Sequence, residues 1–426
     1  AASPNYGQLV QQVVSAADVL AALAPGEAFA GITLTDDGSW TFLLRDGRIT
    51  VGHGPAGSAA VAALVERTRA GIEPTTRALP RFDAAAAQAL YTDTLAPVAG
   101  GLEGAQSLVV APAGPLLALP FGVLLTGPAD ADHLGQAPWL IRRFAISHVP
   151  AAANFVSLRK IAGGSRANQP WFGFGDFRPV TLAQASRTFP GTTCADSARL
   201  FAQLPPLPYS IRELGAARAL LGAPTSDQLL GAAFTAAAVR REDLKNYRVL
   251  HFAAHALLPA ELKCESEPAI ITSDPPGAAD ASGALLRSSE VTGLDLDADL
   301  VVLSACNSGG SGGTAAGENG GESLSGLARS FFYAGARALM VTHWSVNDQA
   351  AAFLVADTLH RLRAGTDGGP AGALRGAELG MLDDAGKGTP AELAHPFYWA
   401  PFALIGEGRG RPAPQAAASP SHVAGL

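Results

Sequence analysis

The chain has 426 residues, a formal charge of −7 and a composition that is 48% hydrophobic and 16% charged, which excludes a disordered or fibrous chain and leaves room for two ordinary cores or one composite one. No basic stretch offsets the negative charge, so binding to nucleic acid or anionic lipid is not expected. Three cysteines, Cys194, Cys264 and Cys306, have neither the even count nor the density of a disulfide framework, and at least one must be free. The first half offers strands over Ala28 to Leu34, Ser39 to Leu44, Ser107 to Ala111 and Phe144 to Val149, with helical stretches over Ser58 to Ala70 and near Ala84 to Leu95. Leu108 to Leu125 is apolar enough to suggest a membrane span, but Pro112, Pro115 and Pro120 interrupt it, so it reads as buried strand and turn.

The second half alternates apolar runs with helical patterns, the signature of a mostly parallel sheet with crossover helices. Strands are expected at Trp171 to Phe174, Arg248 to Ala254, Pro268 to Thr272, Asp299 to Leu303, Arg337 to Val341 and Tyr398 to Ile405. Helices are expected at Ile211 to Leu221, Phe234 to Leu244 and Arg287 to Thr292. Leu324, Leu327, Ala328 and Phe331 mark another helix, closed at Gly335 by a left-handed cap, and Ala352, Val355, Leu359 and Leu362 mark one more. No repeat of 20 to 50 residues is visible, and the Pro-, Ala- and Ser-rich residues 409–426 read as a disordered tail.

Chemistry concentrates at two places, each just past the carboxyl end of an expected parallel strand, where open α/β sheets hold their sites. His255 closes VLHFAAH, and Cys306 closes LVVLSAC before a glycine-rich run. A histidine beside a cysteine can take the thiol proton or stabilise the thiolate, and either makes sulfur a strong nucleophile. Taken singly, a cysteine at a strand end is commonly a small buried hydrophobe and a histidine a packing residue; it is the pairing at two strand ends that favours a dyad. His251 reads as a buried, hydrogen-bonded residue. A zinc site from His251, His255 and Cys264 lacks a fourth ligand and any CxxC pair. Gly309 to Gly313 spells G-x-S-x-G around Ser311, but a nucleophile elbow needs its serine on a tight strand-to-helix turn, whereas Ser311 sits well beyond Leu303.

Six segments in order resemble the CHAT domain family of caspase-like, separase-related cysteine peptidases known from bacteria: LVVAPAGPLLALPFGVLL (108–125), LPPLPYSIREL (204–214), YRVLHFAAHA (247–256), ADLVVLSACNSG (298–309), GESLSGLARSFFYAGARALMVTHWSVND (321–348) and HPFYWAPFALIG (395–406). The resemblance implies an α/β fold, a caspase-like mostly parallel sheet flanked by helices (166–408), preceded by a related inactive half (1–165). It implies a cysteine endopeptidase with His255 and Cys306 catalytic, and backbone N–H groups of Ala256 and Cys306 as the oxyanion hole. Ala256 stands where the family usually has glycine, and Thr342-His343 where Ser-Leu is usual. Substrate contacts are expected from Asp176, Glu322, His343, Trp344 and Asp348, with the two aspartates favouring a basic P1 residue. No cofactor or metal is required, the substrate is a protein or peptide, and a tetratricopeptide-repeat domain is an expected neighbour. The chemistry suits the bacterial cytoplasm. Ala1 in place of an initiating methionine leaves a fragment or a processed, exported form open.

Overall fold

A computed structural model describes residues 13–74, 78–160, 164–259, 262–304 and 320–409, with the backbone alone for 320–325. The first block contributes β1 (Glu27–Leu34), β2 (Ser39–Arg45), β3 (Arg48–Gly54), β4 (Ser107–Ala111) and β5 (Ala145–His148). The second contributes β6 (Gln169–Gly175), β7 (Gln228–Leu230), β8 (Tyr247–Ala253), β9 (Ala256–Leu257), β10 (Ala269–Ile271), β11 (Leu285–Arg287), β12 (Leu300–Leu303), β13 (Ala338–Thr342) and β14 (Phe402–Gly406). Eleven of these form one sheet in the order β3-β2-β1-β4-β5-β14-β13-β12-β8-β6-β7. Its pairings are parallel except for β1–β2, β2–β3 and β13–β14. Strands from residues 1–165 and from 166–408 thus occupy contiguous stretches of a single sheet, meeting where β5 runs parallel to β14.

The central strands are apolar along their whole length because both faces are covered. Val249, Leu300, Val302 and Met340 join one core, while Leu250, Phe252, Val301, Leu303 and Val341 join the core on the opposite face. Phe174 stacks on Phe252 across β6 and β8 with ring centroids 4.3 Å apart. The helices Ser210–Leu221 and Asp348–Ala364 lie on the Val249 side. Arg159, from the helix Ala152–Lys160, joins Glu27 of β1 at 2.6 Å to Glu407, just past β14, at 2.9 Å, so one guanidinium ties both stretches of sheet together.

Several expectations need correction. Phe234 to Leu244 is not one helix: Thr235 caps a four-residue helix, Ala236–Val239, and Phe234, Val239 and Leu244 are all buried at a spacing of five, which fits no helical face. The strand expected at Pro268 to Thr272 forms, but in a separate antiparallel sheet ordered β11-β10-β9. Tyr398 and Trp399 belong to a short helix, Pro396–Trp399, ahead of β14. The hairpin strand β3 had no counterpart in the sequence reading. Its turn places Asp46 at φ 49° and Gly47 at φ 73°, the pair of left-handed residues that a two-residue hairpin turn requires.

Candidate active site

His255 lies beyond the carboxyl end of β8, which runs parallel to β12 with Phe252 paired to Leu303. It does not continue β8, which ends at Ala253. The ring is 5% exposed and meets Phe177 edge-on, with centroids 5.2 Å apart. Its Nε2 is 2.8 Å from the carbonyl oxygen of Pro205. A carbonyl can only accept, so Nε2 carries the hydrogen, and the lone pair of the neutral ring resides on Nδ1. Burial lowers the pKa of His255, opposed by the Pro205 carbonyl and by the charge of Asp348. The imidazole is therefore a neutral, oriented base at neutral pH.

Ala256 opens β9 and pairs with Ile270, while the N–H of Ile271 donates to the His255 carbonyl at 2.8 Å. In an antiparallel ladder that arrangement makes Ala256 a non-hydrogen-bonded pair member, whose own N–H points away from β10. Alanine adopts this backbone without strain, because among the described residues only Asp46 and Asp176 are non-glycine positions with positive φ. A side chain here therefore leaves the backbone donor in place.

Cys306, Ser311 and most of the glycine-rich run lie outside the described residues, and Glu322 is described only as part of the backbone of the helix Gly320–Ala334. Asp348 is half-buried and lines a cavity with Tyr209, Ser210, Glu213, Ala253 and Ser304, between the amino ends of two helices and the carboxyl ends of β8 and β12. Burial raises its pKa, Glu213 raises it further, and His255 opposes. Asp176 is adjacent but differently directed. Its N–H donates to Ser210 Oγ at 3.2 Å, while its carboxylate lies beside Gly231, which Arg178 also flanks. His343 is 3% exposed and held under Arg69, whose guanidinium donates to its carbonyl oxygen at 3.1 Å, and burial pushes its pKa well down. Trp344 is fully buried, its indole N–H directed at the Phe397 carbonyl. Both are packed inside rather than presented to an open cleft.

Three features around His255 escaped sequence reasoning. The first is the Pro205 carbonyl, which lies within the resembling segment 204–214 but carries no side-chain signal. The second is Glu213, whose Oε1 is 2.6 Å from His251 Nε2 and which makes His251 a buried, hydrogen-bonded residue. The third is a disulfide between Cys194 and Cys264, with Cα atoms 5.8 Å apart. An odd count of three does not forbid one bridge. One bridge is compatible with the reading that at least one cysteine is free, and it removes Cys264 from the supposed zinc set. Cys264 also donates its N–H to Ser197 Oγ at 3.3 Å, so the turn after β9 is fastened to the helix Ala195–Ala202, which leads toward Pro205. Among the described residues no helix is long and apolar enough to cross a membrane.

A large, mostly parallel α/β sheet flanked by helices on both faces is the caspase-like class of fold. The chain belongs to the CHAT domain family, whose model matches residues 84–407. No curated protein matches it in sequence. Among solved structures it is similar to a chain of the Saccharomyces cerevisiae separase–securin complex, with 9% identity over 92% of this chain and 30% of that one, at a TM-score of 0.47. It is also similar to gingipain R, an Arg-specific cysteine proteinase, with 8% identity over 84% of this chain and 69% of that one, at a TM-score of 0.41. The chain thus spans less than a third of the separase-complex chain it matches.

Proposed function

We propose that this protein is a cysteine endopeptidase with Cys306 as nucleophile and His255 as general base and acid, residues 166–408 forming the catalytic half and 1–165 an inactive one. The observation that carries the reading is register. Leu303 pairs with Phe252 on adjacent parallel strands, and Cys306 follows Leu303 by as many positions as His255 follows Phe252. The paired strands end at one rim of the sheet, and an equal step in sequence beyond each end suits a dyad there. In the proposed reaction the Cys306 thiol loses its proton to His255 as sulfur attacks the peptide carbonyl carbon. His255 returns that proton to the amine as the C–N bond breaks, and water hydrolyses the thioester, regenerating the thiol. The N–H groups of Ala256 and Cys306 would hold the oxyanion, each such donor being worth about 2.7–4 kcal/mol. Asp348, whose charge acts on His255, supports a preference for a basic P1 residue, with Asp176 and Glu322 as outer contributors and the buried His343 and Trp344 left out, and a tetratricopeptide-repeat domain or partner would gate access.

The test is cleavage of a peptide library by the wild type, Cys306→Ala, His255→Ala and Ser311→Ala, together with iodoacetamide labelling. Loss of cleavage in the first two variants but not the third supports the dyad. Absence of cleavage under every activating condition would favour a catalytically silent interaction module instead.

A further inference from the structure

The large sheet ends differently at its two edges. β7 is three residues long, whereas β3 runs for seven and has no neighbour beyond it among the described residues. A two-residue turn joins β3 to β2, so Arg45 and Arg48 exchange hydrogen bonds, and bonded and non-bonded pairs alternate from there. Thr50, Gly52 and Gly54 bond inward to β2, which leaves the N–H and C=O groups of Ile49, Val51 and His53 facing outward. The strand is held from below: a Cβ on Gly52 would stand 2.6 Å from Pro97 Cβ, and one on Gly54 2.0 Å from the Asp93 carbonyl oxygen. Its register is unbroken from Arg48 to Gly54, with no bulge, proline or lysine to blunt the edge. Trp40, Phe42, Ile49 and Val51 share the upper face and are 39%, 43%, 51% and 52% exposed. At roughly 200 Å² per large side chain, that leaves on the order of 400 Å² of apolar surface open. Charge divides along the strand. Arg48 is exposed at the turn end, where Asp46 is already paired with Arg45 at 3.1 Å. Asp36 and Asp37 are exposed at the other end, in the turn leading to Gly38, which lies against the His53 ring.

We propose that β3 is a self-association edge, through which two copies of this chain pair antiparallel about a two-fold axis beside Val51. Val51 then faces Val51 of the second copy, Ile49 faces His53, and each outward N–H meets a carbonyl oxygen. Arg48 of each copy is brought toward Asp37 of the other, and the two apolar faces join into one band. Opposite charges at the two ends of β3 favour a second copy over an unrelated strand, because an identical edge running the other way presents them reversed. Pairing of this edge with its apolar rim buries on the order of 1,000 Å² in total, the lower end of what a specific dimer needs, so micromolar affinity is expected. The contact lies within residues 1–165 and does not depend on the peptidase reading.

Sedimentation equilibrium of the full chain, from about 1 μM to about 1 mM, reads the association. A Cys306→Ala background keeps self-cleavage and thiol cross-links out of the result. The protein should pass from monomer to dimer within this range. Val51→Lys sets like charges across the axis from an exposed position, so the dissociation constant should rise by about tenfold or more while the monomer stays folded. Arg48→Asp should weaken the dimer too, and adding Asp37→Arg should restore it, a rescue that a loss of folding would not show. Hydrogen exchange at the Ile49, Val51 and His53 amides should slow as concentration rises. A protein that stays monomeric throughout, or a dimer that Val51→Lys leaves intact, overturns the assignment. So do edge amides already protected in the monomer, which would show that another part of the chain, such as residues 1–12, covers β3.

Discussion

Glu407 offers a test of how the two stretches of sheet are held together. Its carboxyl is raised from 4.5 to about 7, mainly by burial, with Glu27 adding to the effect and Arg159 opposing it. At about 1.36 kcal/mol per pH unit, that difference corresponds to roughly 3 kcal/mol, trimmed somewhat because the side chain is 20% exposed. The folded protein binds this proton more tightly than the unfolded chain does. The stability it contributes is therefore complete below about pH 4.5 and is lost as the pH rises through 7. In Glu407→Gln this group no longer titrates. Urea unfolding of both proteins between pH 4.5 and 8 should show the variant gaining on the wild type by about 3 kcal/mol across that interval. A difference that stays constant with pH would show that Glu407 is ionised throughout and that the Glu27–Arg159–Glu407 cluster is a fully charged triad.

Three other outcomes are expected. Asp348→Asn removes the one charge that opposes the lowering of the His255 pKa, so the acid limb of kcat/KM on a norleucine substrate should move to lower pH; an unmoved limb would show that the two groups are uncoupled. Gly335→Ala should unfold at clearly lower denaturant, at a cost of several kcal/mol, because φ is 119° there and a Cβ would stand 2.0 Å from the Leu296 carbonyl oxygen. Replacing both Cys194 and Cys264 by serine should cost about 4 kcal/mol of stability in the chain-entropy account, given the 70-residue separation, as read from denaturant midpoints without reductant.

What was legible in the sequence followed local pattern. β8, β12 and β13 are continuous apolar runs because they are buried on both sides, and Ser58–Ala70 forms the helix its spacing announces. Strand β3 was not read: its apolar residues Ile49 and Val51 are exposed and answer to no core, and the run is short and ends in Gly52-His53-Gly54. The candidate site was only half visible. Histidine and cysteine reveal themselves by residue type, whereas the groups that orient and charge the site reach it across the fold. Pro205 contributes a backbone oxygen, and Glu213 looks like any helix-surface acid until the helix is docked on β6 and β8. The Cys194–Cys264 pairing, likewise, is set by tertiary packing and not by cysteine count.

That bridge sets one side of a redox balance, and the proposed nucleophile would set the other. A sulfur nucleophile works only when reduced, whereas the bond fastening the β9 turn to the helix that leads toward Pro205 exists only when oxidised. Strongly reducing surroundings such as a typical cytosol open such bonds, and strong oxidants carry an exposed thiolate to sulfenic acid and beyond. If Cys306 is the nucleophile, the thiol reductant routinely added to protect a cysteine peptidase also attacks the fastening around His255. The natural working medium of the protein is then one of intermediate potential, and its activity is best sought in a titrated glutathione buffer.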